Sequence, residues 1–220
     1  MLLRNSFFLV LIFAFIKAAF SANLPVTYGS SIKLQHFSTK HRLHSHAVGY
    51  SRGSQQQSVT GYPEGEDANS LWLVSCDVSN DCLPGSAIKK GFPIRLQHMS
   101  TRRWLHSHDF HSPLTNQLEV SCFGSDDQSD SGDRWVIDWD GKDAIWRQST
   151  RIRLHHVDTK GYLSSNTNKF GSPIANQQEV CGIRKKDRST EWIAAEGVYY
   201  PLNPKTKTSS GAASSAHDDF

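Results

Sequence analysis

No apolar run in this sequence is long enough to cross a bilayer, which takes about 20 consecutive apolar residues. The longest is FFLVLIFAFI, residues 7–16, preceded by Arg4 and followed by Lys17 and the small-residue stretch AAFSA. That order is the pattern of a secretory signal peptide. Residues 1–21 are therefore expected to be cleaved after Ser21, leaving a lumenal or extracellular chain with no membrane span. An excess of one charge is missing too. Removing Arg4 and Lys17 from the 24 basic residues leaves 22 against 21 acidic ones, a balance that recruits neither nucleic acid nor an anionic membrane surface. There is no G-x-G-x-x-G, no P-loop and no H-E-x-x-H, so no cofactor is expected. No window carries a convincing helical period. Cysteine is sparse, with four residues, which in a secreted chain suggests two disulfides and three possible pairings.

What is present is a repeat. Three segments align as SSIKLQHFSTKHRLHSH from Ser30, FPIRLQHMSTRRWLHSH from Phe92 and TRIRLHHVDTKGYLSSN from Thr150. Ile32, Ile94 and Ile152 match, as do Leu34, Leu96 and Leu154, then His36, His98 and His156, then Leu43, Leu105 and Leu163. Each unit continues through QQQSV, NQLEV or NQQEV and closes on Trp72, Trp135 or Trp192. Self-similarity of this kind takes precedence over composition in assigning a fold. Within a unit the apolar residues have period two, as in Ile94, Leu96 and His98, which places them on one face of a strand. Three units of four short strands, with no helices to cover a sheet, must satisfy their edges by closing on themselves. The expected fold is all-β, a β-trefoil of six barrel strands capped by three hairpins. It should span residues 26–202 with units at about 26–78, 86–140 and 145–200, and a flexible tail at 203–220.

The repeated RLQH…T…LHSH, followed by EV and a tryptophan, resembles the MIR repeats of protein O-mannosyltransferases and of inositol trisphosphate and ryanodine receptors. The whole chain, a leader plus three such repeats, is most similar to the stromal cell-derived factor 2 family. That resemblance implies a β-trefoil. It also implies a non-catalytic component of protein quality control in the endoplasmic reticulum and the unfolded protein response. Such a component would act with a lumenal J-domain co-chaperone and the heat-shock chaperone BiP on unfolded clients. The alternative is a lectin-like module that recognises O-mannosylated or otherwise glycosylated proteins, because aromatic and polar groups in repeat-related pockets suit sugars.

Candidate ligand or partner contacts are His44, His46, His106 and His108 of the two LHSH segments, with Trp104 and Tyr162, which share a repeat position with Arg42. Histidines two apart on a strand face the same way and could chelate a metal, but the third unit carries Ser164 and Asn166 there, so no metal centre is expected. His36, His98 and His156 occur in every unit and are expected to satisfy buried backbone groups. The G-x-S-x-G match GYSRG at 49–53 sits in a polar hairpin connection rather than a strand-to-helix elbow, and no catalytic residue is assigned. GSDDQSDSGD at 124–133 reads as a solvated acidic loop. For the cysteines, the nearly equivalent positions of Cys122 and Cys181 suggest one bridge, and the short spacing of Cys76 and Cys82 the other. The last four residues, His217, Asp218, Asp219 and Phe220, resemble an HDEL-type retrieval signal. They depart from it at Asp219 and Phe220, so partial secretion is expected alongside residence in the endoplasmic reticulum.

Overall fold

The computed structural model describes residues 23–204. The expected leader and the retrieval signal lie outside them. Among the described residues the protein is all-β. The first unit contributes β1 (Ser31–His36), β2 (Arg42–Gly49), β3 (Gln57–Tyr62) and β4 (Trp72–Cys76). The second contributes β5 (Pro93–His98), β6 (Trp104–His111), β7 (Leu118–Phe123) and β8 (Trp135–Trp139). The third contributes β9 (Ile152–His156), β10 (Tyr162–Lys169), β11 (Gln178–Ile183) and β12 (Trp192–Val198). A single 3-10 turn precedes the fourth strand of each unit, at Ala68–Ser70, Ser131–Asp133 and Arg188–Thr190.

The pairings follow the repeat. Strand β1 pairs β4 and β12, β5 pairs β4 and β8, and β9 pairs β8 and β12, so the pairings return to their start. The hairpins keep one register: Leu43 opposes Gly61, Leu105 opposes Cys122 and Leu163 opposes Gly182. Their second strands meet in a triangle, with Gln57 opposite Cys122, Gly182 opposite Leu118 and Gln178 opposite Gly61. No strand of that triangle is left without a neighbour on either side, which removes the exposed edges that favour aggregation.

Each connection from the first to the second strand turns through a basic residue with positive φ, Lys40 (64°), Arg102 (59°) and Lys160 (59°). Non-glycine residues visit this left-handed region only where the surroundings over-determine it, and here the tight return to the next strand does so. The in-facing Ile32, Leu34, Leu43, their counterparts and the three repeat tryptophans are all fully buried. Each of those indoles donates Nε1–H to a buried carbonyl: Trp72 to Leu43 O at 2.8 Å, Trp135 to Leu105 O at 2.9 Å and Trp192 to Leu163 O at 2.9 Å. A large apolar ring is thereby buried without orphaning its one donor. Trp139 and Trp146, outside the repeat position, are also fully buried.

Candidate binding grooves between the repeats

The strand-end histidines do what their repetition suggests. His36, His98 and His156 meet Thr39, Thr101 and Thr159 Oγ1 through Nδ1 at 2.9, 2.8 and 2.9 Å. Through Nε2 they meet the carbonyls of Ser189, Asn69 and Gly132 at 2.9, 2.9 and 2.8 Å. A carbonyl only accepts, so Nε2 carries the proton. Nδ1 is then an acceptor, in keeping with the Thr39 and Thr159 amides that donate to it. Burial pushes all three below the ordinary histidine value, and the carbonyl bonds only partly offset this. Each neutral imidazole thus clamps a 3-10 turn of the preceding unit, or of the last unit in the case of His36.

The LHSH histidines are held from the other side of those turns. Asp67, Asp130 and Asp187 cap the three turns through the backbone N–H of Asn69, Gly132 and Ser189, a favourable place for a carboxylate. In the first unit His44 Nδ1 donates to Asp67 Oδ2 at 2.7 Å, which leaves its Nε2 to accept from His46 Nδ1 at 3.0 Å. In the second, His106 Nδ1 lies 2.9 Å from Asp133 Oδ1 and His108 Nε2 lies 3.1 Å from Glu119 Oε1. In the third, Ser164 pairs with Ser189 at 2.9 Å and Asn166 donates to Glu179 Oε2 at 2.6 Å. Burial lowers the pKa of both His44 and His46.

Two grooves lie between the units, and of these side chains His106, His108 and Asp130 line the second. The first, about 410 Å³, runs between Ala47, Gly49, Gln55 and Gln57 of the first unit and Thr101 and Arg103 of the second. The second, about 370 Å³, lies between His106–Asp109 with the Asp130–Gly132 turn and Asp158–Thr159 of the third unit. The two differ in charge: Arg103 faces one, whereas Asp109, Asp130 and Asp158 face the other.

Tyr162 is partly exposed and packs against His155, with ring centres 4.5 Å apart and planes tilted by 41°. Trp104 departs from the expectation of a ligand contact. It is only 6 % exposed, donates Nε1–H to Ser125 O at 2.8 Å, and is covered by the Arg95 guanidinium at 4.2 Å. The acidic loop is exposed at 125–128, 130 and 131, as expected of a solvated loop, and Asp133 is its exception. Asp133 is fully buried and accepts from Ser129 Oγ at 2.7 Å, and Asp126 pairs with Arg102 at 2.8 Å. Glu119 and Glu179 of the EV pairs are fully buried too, and Ser54 and Ser112 donate to them. One signal for the capping acids was in the sequence. Asp67, Asp130 and Asp187 each stand five residues before the closing tryptophan.

Neither expected disulfide is present, since Cys76, Cys82, Cys122 and Cys181 are all free thiols. For Cys122 and Cys181 the reason is register. Cys122 holds the place of Gly61 and Gly182 opposite the leucine of its hairpin, whereas Cys181 sits one position earlier, opposite Ser164. One residue along a strand reverses the face, so the thiols point apart. Cys122 Sγ lies 3.3 Å from Ser45 Oγ. The Cys76 thiol donates to the Asn80 carbonyl at 2.9 Å. Burial raises the Cys122 and Cys181 thiols to about 12, and the thiolate is the reactive form. At pH 8 a thiol reagent should therefore leave both unlabelled in the folded protein and label both in urea. Rapid labelling of either in the native state would contradict their burial.

The MIR domain model matches residues 43–193. A stromal cell-derived factor 2-like protein of Arabidopsis thaliana is 53% identical over 184 residues, covering 84% of each chain. A crystal structure of the SDF2-like protein from Arabidopsis thaliana aligns with a TM-score of 0.80 at 53% identity, covering 82% of this chain and 99% of that one. The S. cerevisiae protein O-mannosyltransferase Pmt1-Pmt2 complex bound to the sugar donor aligns at 33% identity with a TM-score of 0.73, over 87% of this chain and 28% of that one. With three MIR-type units, the shared strand register and a relative 53% identical over most of both chains, this protein belongs to the stromal cell-derived factor 2-like family of MIR-domain proteins.

Proposed function

We propose that this chain is a β-trefoil binding module of the endoplasmic-reticulum lumen, without catalytic activity. In this reading it acts in protein quality control with a J-domain co-chaperone and BiP on unfolded clients. Six of the strands, β1, β4, β5, β8, β9 and β12, form the barrel in this reading, and the three β2–β3-type hairpins cap it. The observation that carries the binding role is the pair of open grooves between units. The two histidines that line the second groove, His106 and His108, are engaged with the buried carboxylates of Asp133 and Glu119, in positions that hold shape rather than as a nucleophile and its base. Family membership, the leader-like N-terminus and the HDDF end support the lumenal assignment and the chaperone partners.

A second reading, glycan recognition on client proteins, is favoured by one observation. The grooves are repeat-related and lined by hydroxyl, amide and imidazole groups, the set that suits sugar hydroxyls. A chemical crosslinking pulldown of the full chain from cells tests both. Recovery of a J-domain protein together with BiP, unchanged by enzymatic deglycosylation, is the expected result. Recovery confined to glycosylated proteins and competed by free mannose would replace the first reading with the second.

A further inference from the structure

The three units satisfy their 3-10 turns in different ways, and the second carries a charge that the others do without. At the last position of the turn the first unit has Ser70 and the third has Thr190, but the second has Asp133. Ser70 Oγ donates to Asp67, so one carboxylate serves both the turn and His44. In the second unit Asp130 already caps the turn, accepting from Gly132 N at 2.8 Å. Asp133 adds a second carboxylate that is fully buried. Its Oδ2 takes Ser129 Oγ and Asp130 N at 2.7 and 2.9 Å, while its Oδ1 has only His106. The Arg95 guanidinium ends on Ser129 Oγ, and that of Arg134 on Asp77. Two carboxylates therefore stand beside one imidazole at the edge of the groove, and a cation between like charges offsets their repulsion.

We propose that the second groove holds a divalent transition-metal ion between His106 Nδ1, Asp130 Oδ1 and Asp133 Oδ1. Nδ1 lies 2.9 Å from Asp133 Oδ1 and 3.5 Å from Asp130 Oδ1, and one ligand atom from each of the three residues falls within 4.8 Å of the others. Metal–nitrogen and metal–oxygen bonds of about 2.0–2.2 Å at tetrahedral or octahedral angles need donors about 3.0–3.4 Å apart. The two histidine distances bracket that range. The side chain of Asp130 is half exposed at the groove mouth, which supplies an entry path and the freedom to close the remaining separation.

The other ring nitrogen of His106 does not compete for the site. His106 is only 6 % exposed and forms part of the groove wall, and its hydrogen bond runs through Nδ1 to Asp133, which leaves Nε2 to solvent. Its counterpart His44 has Nε2 engaged by His46 at 3.0 Å. With Nδ1 on a metal, Nε2 carries the proton and presents it to water in the groove. The ring cannot swing aside freely, because it packs on Gly132, where an added Cβ would fall 2.2 Å from His106 Cε1. One nitrogen and two carboxylates, with open positions facing the groove, suit ions of the manganese-to-zinc series.

The protein's own repeats supply substitutions that its fold accommodates. D133S copies Ser70 and H106S copies Ser164. D130N changes a half-exposed side chain and serves as a further variant. Tag-free, chelator-stripped protein should bind one equivalent of Co²⁺ with visible d–d absorption, displaced by Zn²⁺, and melt at a higher temperature with the metal. D133S, H106S and D130N should each weaken Co²⁺ at least about tenfold, whereas H44S, in the single-carboxylate site of the first unit, should leave it unchanged. Absence of saturable one-to-one binding would overturn the proposal. So would retention of binding in both D133S and H106S, or its loss in H44S.

Discussion

Acidification from pH 7 to pH 5 should destabilise the fold steeply, as a falling urea midpoint with one transition at each pH. His36, His98 and His156 are buried at three equivalent points, and burial holds their pKa values below the ordinary histidine value. Each also uses Nδ1 toward a threonine and Nε2–H toward a carbonyl, and protonation would convert the Nδ1 acceptor into a donor facing the donating amide of Thr39 or Thr159. The unfolded chain takes up these protons near pH 6.5, and the folded chain resists them. The stability these groups contribute is therefore fully present above about pH 6.5 and is lost as pH falls toward their folded-state values. A histidine that titrates only when unfolded contributes a slope of at most about 1.4 kcal/mol per pH unit. Three of them approach about 4 kcal/mol per unit, a large part of the roughly 5–15 kcal/mol that holds a domain together.

The carboxylates act in a separate, lower window. Against the burial that raises it, hydrogen bonds from Ser70 and His44 hold Asp67 below its usual value. Asp187 is held low by Ser189. Their contribution is present above the ordinary carboxylate range and is lost below about pH 4. Stability that is flat between pH 7 and pH 5 would mean that the strand-end histidines open to water at little expense.

The alternation of Ile94, Leu96 and His98 was legible because a strand's side chains have period two, and threefold repetition multiplied the signal. The acids were not. Asp133 and Glu119 lie in stretches that look solvated, and whether a carboxylate is buried depends on partners 27 and 11 residues away, His106 and His108. The Cys122–Cys181 pairing failed by one residue of register, the error to which a period-two element is most sensitive. Trp104 was misjudged because its cover, Arg95, comes from the neighbouring strand of its own unit. The differences among the units, Asp133 against Ser70 and Thr190, are visible as letters but acquire meaning only when the turns are superposed.

Trp135→Ala should be the most damaging single truncation in the second unit and should lower the stability of all three units together. The ring is fully buried and its Nε1–H donates to Leu105 O. Removing a buried tryptophan costs about 3–5 kcal/mol through lost transfer energy and the cavity left behind. Trp135→Phe keeps most of the volume but leaves Leu105 O without this donor, and a buried acceptor that loses its partner costs about 1–3 kcal/mol. The phenylalanine variant should thus fall between the alanine variant and the unmodified protein. Cooperativity follows from the pairings. Trp135 lies opposite His156 of β9 in one ladder and opposite Ile94 of β5 in the other, so the second and third units share its neighbourhood. A cavity there loosens strands from both units, and β1, β4 and β12 link those strands to the first. Urea unfolding of the alanine variant, followed by tryptophan fluorescence and by far-ultraviolet circular dichroism, should give coincident curves shifted to lower urea. Curves that separate, with one unit melting ahead of the others, would mean that the units hold independent cores despite their shared ladders.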